Sequence, residues 1–139
     1  MATSSVYYEQ SNSVAGDIVC DCASTLAAYI GYFAYIVTNT GKRPKVAVPG
    51  TANIPVQFVI IDAPTTTTVV CRPLDPNRNI RVKCAAAGVT AGQEVATNNA
   101  GLLAASGGAA GNFLVGIAEN AGASGQYVPV RPCPMYLHA

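Results

Sequence analysis

Ile80-Arg81-Val82-Lys83-Cys84 alternates apolar and charged residues at every step, and 62 positions earlier Ile18-Val19-Cys20-Asp21-Cys22-Ala23 holds the same frame. Period-two alternation with β-branched residues is the pattern of a half-buried strand, so Ile80, Val82 and Cys84 are expected on one face, with Arg81 and Lys83 on the other. Ile18, Cys20 and Cys22 take the inward positions in the earlier copy. The correspondence continues along the chain. Gly31 matches Gly92, Gly41 matches Gly101, Asp62 matches Glu119, and Arg72-Pro73 matches Arg131-Pro132, in order and at spacings of 57 to 61 residues. Each half reads as a strand, a turn closing on Gly, a second strand and a Gly-bearing hairpin. A third strand ending in an acid, a turn, and a fourth strand ending in Arg-Pro complete it.

The other stretches fit this pattern. Gln126 to Arg131 alternates with Val128 and Val130 inward, and Pro129, lacking an N–H, places that strand at an edge or a bulge. Further strands are expected over Val56–Asp62, Thr66–Cys71, Gln93–Ala96 and Phe113–Glu119. Turn chemistry recurs about every ten residues, at Thr40-Gly41, Pro49-Gly50, Asn99-Ala100-Gly101, Gly107-Gly108 and Ser124-Gly125. Glycines interrupt the Ala-rich stretches, leaving room for one short helix at most, near Ser24 to Ala28. The fold class is therefore mainly β: a compact barrel or sandwich-like body built from two repeat-related halves. A half of about 60 residues is too small to bury a good core alone. The halves, 16–76 and 77–139, are expected to pack as one domain about a pseudo-twofold axis, joined by the Pro- and Asn-containing connector Leu74–Asn79. Residues 1–15, Ser-rich and without a counterpart in the second half, read as an extended N-terminal arm.

Composition narrows the function classes. The 139 residues carry 8 Lys and Arg against 7 Asp and Glu, a net of +1, and are 11% charged and 50% hydrophobic. Ordinary domains are roughly 25% charged. No clustered basic face exists for nucleic acid, and disorder would need low hydrophobicity and high net charge. Met1 to Asn12 has neither the basic nor the apolar region of a secretory signal. Leu26 to Val37, the most apolar run, spans 12 residues with three tyrosines, short of the roughly 20 that cross a membrane. A surface this bland suits a protein covered by its neighbours.

Catalytic patterns are missing. No G-x-x-x-x-G-K-[ST] loop, dinucleotide fingerprint or G-x-S-x-G elbow occurs. The sole histidine, His138, lies one residue from the end, so a Ser or Cys nucleophile has no evident base. Seven carboxylates, Glu9, Asp17, Asp21, Asp62, Asp75, Glu94 and Glu119, are spread singly. The odd set Cys20, Cys22, Cys71, Cys84 and Cys133 leaves at least one thiol unpaired within the monomer. Its one short pair, C-x-C, lacks zinc-ligand spacing, so neither metal nor cofactor is expected. Candidate partner-binding residues are Val6, Tyr7 and Tyr8 in the arm, which either anchor on a partner or fold back as an extra strand. Lys42, Arg43 and Lys45, read as a hairpin tip, are the others: a solvated loop or a contact for an acidic patch.

Val82-Lys83-Cys84, Gly88-Val89-Thr90-Ala91-Gly92-Gln93-Glu94-Val95, Gly101, Val115-Gly116-Ile117-Ala118-Glu119 and Gly125-Gln126-Tyr127-Val128-Pro129-Val130 occur in an order that resembles bacteriophage capsid decoration (cement) proteins. The first half matches more loosely, through Gly16-Asp17-Ile18-Val19 and Val69 to Pro73, so the resemblance spans residues 16 to 132. Gln93 stands where the family often has an acid. The resemblance implies a non-enzymatic structural protein on the exterior of a phage capsid, made in the host cytoplasm. It would clamp neighbouring major capsid protein subunits, as a homotrimer by preference or a homodimer. A small adhesive or carbohydrate-binding β module, using the tyrosines of residues 29 to 35 as a stacking platform, is the alternative.

Overall fold

The structure, a computed structural model, describes residues 16–38 and 42–137. The readings placed on Val6, Tyr7, Tyr8 and His138 lie outside them. The strands are β1 (Ile18–Asp21), β2 (Phe33–Thr38), β3 (Lys45–Ala47), β4 (Phe58–Asp62), β5 (Thr68–Pro73), β6 (Ile80–Lys83), β7 (Glu94–Thr97), β8 (Leu103–Ala105), β9 (Phe113–Ala118) and β10 (Tyr127–Tyr136). The expected short helix is a single 3₁₀ turn, Ala27–Tyr29. The protein is mainly β.

The first five strands close a barrel in the order β1-β3-β2-β4-β5, and the second five form a sheet in the order β6-β10-β9-β7-β8. Adding five to each label of the first order reproduces the second as a circle opened between β6 and β8. At that opening an isolated parallel bridge joins Cys84 to Leu103. In the first barrel the same junction, β1 against β3, is also parallel and rests on one register pair, Asp21 with Lys45. The duplication reaches individual hydrogen bonds. Gly31 N–H donates to the Ile60 carbonyl at 2.8 Å and Gly92 N–H to that of Ala118 at 2.7 Å, while Ile60 and Ala118 return bonds of 2.9 Å to Tyr32 and Gln93. Both glycines sit at positive φ, +88° and +82°, where a side chain would strain the backbone. Cys22 and Cys84 each donate a thiol to a carbonyl at 3.8 Å, those of Thr66 and Gly122.

Two sequence expectations are corrected. Each half has five strands, because β3 and β8 are three residues long, too short to show a period. Pro129 lies mid-sheet, since β10 runs between β6 and β9. Its carbonyl accepts from Glu119 N–H at 2.9 Å, so the side where its own donor is missing faces a residue just past the end of β9, where the ladder has already stopped.

Alternation explains the core. Ile80, Val82, Val128 and Val130 are buried while Arg81 is exposed and Lys83 partly so. One cluster fills the first barrel, with Cys20, Cys22, Leu26, Ala34, Val46, Phe58, Ile60, Val69 and Cys71. The other fills the second half but also contains Phe33, Val56 and Val59 of the first. The first residues of β2 and β4 are therefore buried on both faces: Ala34, Phe58 and Ile60 point into the first barrel, and Phe33 and Val59 away from it into the shared core. The connector forms a tight turn, with Asn77 N–H on Asp75 Oδ1 at 2.9 Å and Arg78 N–H on the Asp75 carbonyl at 3.1 Å.

Gly116 of β9 lies in register with Pro132 of β10. A Cβ there would collide with the Arg131 carbonyl and with Pro132 Cα, both backbone, which cannot swing aside. Gly116→Ala should lower unfolding free energy by about 2–4 kcal/mol, in the range of overpacked sites. Gly50→Ala, with open space around it and ordinary φ, should change it by less than about 0.5 kcal/mol. Urea unfolding of the two variants provides the comparison.

Candidate interaction surface

Several charged groups in the described residues are engaged in structure. Arg72 binds Asp17 through both carboxylate oxygens, Nε to Oδ1 at 2.7 Å and Nη2 to Oδ2 at 3.0 Å. This bidentate, largely buried contact raises the Arg72 pKa, chiefly through the hydrogen bond. It ties the start of β1 to β5, at the root of the N-terminal segment. Arg131 binds Glu119 at 3.0 Å, and Asp62 accepts the N–H of Ala63 at 2.9 Å. Among the described residues no group of three or more His, Cys, Asp and Glu converges as a metal site would require.

All five cysteines are free, four buried and Cys133 exposed. The Cys71 thiol is held well above the usual range, first by its hydrogen bond with Cys20 and then by burial. Burial pushes up Cys22 and Cys84. These three stay protonated and unreactive at neutral pH, serving as small apolar fillers.

Of the candidate binding residues, Lys42 and Arg43 lie in the connection between β2 and β3, and Lys45 begins β3. Arg43 Nη1 stands 3.7 Å from Asp21 Oδ1, both groups partly exposed, a pair of little energetic weight. Sequence reasoning missed the apolar half of this surface. Ile36 and Val37 of β2 lead into the tip and are exposed, Val37 by 52%. A register shift between Ile36 and Thr38 in the β2–β3 pairing accompanies the turn outward. Two adjacent apolar residues cannot share one strand face, and that was the available signal. One end of the first barrel thus carries Ile36 and Val37 beside Lys42 and Arg43.

The tyrosines of residues 29 to 35 do not form a flat platform. Tyr35 packs partly buried against the shared core, and Tyr29 meets Tyr32 edge-on, with centroids 5.1 Å apart and planes at 89°. A more exposed ring nearby is that of Tyr127, whose hydroxyl donates to the Ile30 carbonyl at 3.2 Å across the seam between the halves. Four backbone bonds also cross it: Lys83 to Gly31, Phe33 to Gly101, Asn53 to Thr97 and Phe113 to Asn53, at 2.8 to 2.9 Å.

No protein-family model and no curated protein sequence matches the chain. Among solved structures it is similar to the N base of the head fiber gp8.5 of bacteriophage phi29, with a TM-score of 0.60 and 18% identity. The match covers 88% of this chain and 98% of that one. The likeness is one of fold, and it takes in both repeat-related halves.

With the native protein, a thiol reagent such as dithionitrobenzoate should titrate Cys133 rapidly and the other four cysteines only on unfolding. Fast reaction of a second thiol would show that the half holding it, the first for Cys20, Cys22 or Cys71 and the second for Cys84, opens more readily than its packing implies.

Proposed function

We propose that this chain is a structural protein of a phage virion that sits on the capsid exterior and clamps neighbouring major capsid protein subunits. The observation that carries the reading is the shared fold with the base of a phage head fiber, matched over nearly the whole of both chains. The resemblance of its sequence motifs to those of capsid decoration proteins supports the same reading. The surface supports it too. A preformed β body loses little conformational entropy on docking, and one end of the first barrel presents the exposed Ile36 and Val37 of β2, with Lys42 and Arg43 in the connection that follows. Self-association as a homotrimer, or failing that a homodimer, would multiply such contacts and add avidity. The arm, with Val6, Tyr7 and Tyr8, supplies a second attachment.

The test uses particles built from the cognate major capsid protein and lacking this chain. Added protein should co-sediment with them saturably and raise the temperature at which they rupture. Removing residues 1–15 should leave the β body folded and weaken attachment about tenfold or more, equivalent to at least about 1.4 kcal/mol. A protein that never binds such particles would overturn the proposal, and unchanged binding without the arm would overturn the arm's part in it.

A further inference from the structure

The seam between the halves holds a cavity of about 370 Å³ whose lining includes Ile30, Gly31, Ile61, Arg72, Arg81 and Tyr127. Virion attachment as proposed above makes no use of it. Its volume is at the small end of the range for ligand cavities.

Tyr127 is 48% exposed yet fixed at both ends of its side chain. Its hydroxyl is tethered to Ile30, and its ring lies so close over Gly31 that a Cβ there would strike ring atoms. An exposed ring already held in one place has little entropy left to lose when something stacks on its open face.

Charge gives the second observation. On β6 the outward residues are Arg81 and Lys83, in register with Pro129 and Tyr127 of β10, so cations and ring share one face. Neither cation forms an ion pair within the described residues. Arg72 lines the same cavity but is already neutralised by Asp17. The cavity's uncompensated charge is therefore positive, carried by Arg81 and reinforced by Lys83. Ile30 and Ile61 add apolar wall.

A planar ring for the C–H face of a sugar, an unpaired guanidinium able to take a carboxylate bidentately, and apolar walls for the remaining ring carbons are the elements of a subsite for an acidic sugar. We propose that this seam cavity binds a saccharide unit bearing a carboxylate, of the uronic acid class, stacked on Tyr127 with its acid on Arg81. An extended peptide fits the place less well, because strand addition needs a free sheet edge and on the open side of β6 the Lys83 N–H is already bonded to the Gly31 carbonyl at 2.9 Å. A single-stranded nucleic acid would also use stacking and cations, so it belongs in the test.

The experiment titrates the full chain, observed by NMR, with trigalacturonate, with the neutral maltotriose and with a short oligothymidylate. Trigalacturonate should bind with a dissociation constant on the order of 1 mM, shift resonances of Tyr127 and its neighbours, and bind at least tenfold more tightly than maltotriose. Arg81→Gln, a change on an exposed strand face, should weaken it tenfold or more with an unchanged melting temperature. Tyr127→Phe, which keeps the ring and loses only the tether, should retain most of the binding. Absence of trigalacturonate binding, equal binding of maltotriose, indifference to Arg81→Gln, or tighter binding of the oligothymidylate would each overturn the assignment. None of these readouts involves capsids, so the outcome is separate from the fate of the virion proposal.

Discussion

Phe33 and Val59 belong to the first barrel by sequence and hydrogen bonding, but their side chains are buried in the core of the second half. The seam they form is the constraint on which the rest of the protein depends. A five-stranded unit of about 60 residues has too little interior to offset the entropy of ordering its chain. Closing the first barrel buries Cys20, Phe58, Ile60 and Cys71 on one side of its wall. Using the other side of the same wall doubles what β2 and β4 contribute without lengthening the chain. For side chains of this size, full burial contributes about 1.5–3 kcal/mol each. That explains why Phe33 of β2 and Val59 of β4 lack the polar alternation expected of strands on a barrel's outside.

The duplication was legible because its markers are ones that backbone physics does not let drift. Gly31 and Gly92 occupy matching positive-φ turns, and Cys22 and Cys84 make matching thiol contacts. The alternation around Ile80 and Ile18 assigned the inward faces correctly, because period two depends only on strand geometry. What stayed hidden depends on tertiary context. β3 and β8 exist because neighbouring strands offer them partners, and three residues carry no period of their own. Pro129 is tolerated in a central strand only because β9 has ended alongside it, which no local rule encodes. On the candidate surface, Lys42, Arg43 and Lys45 could be named from their charge, whereas Ile36 and Val37 were concealed inside a run that reads as core. Tyr127 escaped notice for a different reason: its importance comes from Ile30 and Gly31, nearly a hundred residues away in the chain.

The two halves share topology but have diverged in chemistry. The first is a closed barrel whose Arg72 is spent on Asp17, while the matching Arg131 pairs with Glu119 at a more exposed place. The second leaves the junction of β6 and β8 to one isolated bridge. Duplication followed by divergence of this kind keeps the strand order and the glycine turns, which the fold requires. It leaves outward positions open to change: Arg81 and Lys83 stand where the first half has Val19 and Asp21.

Low charge content follows from the same economy. With the first residues of β2 and β4 covered on both faces and a small chain folded into two thin-walled units, much of the apolar 50% is interior, mostly short side chains that fill narrow cores. Several of the few charges present are used in structure: Arg72 and Arg131 hold acids, and Asp75 and Asp62 cap turns. Among the described residues the cations without an ion pair are Lys42 and Lys45 by the β2–β3 tip, Arg78 in the connector, and Arg81 with Lys83 beside the seam. On a nearly neutral molecule such sites shape the local field and favour an anionic or acid-rimmed partner.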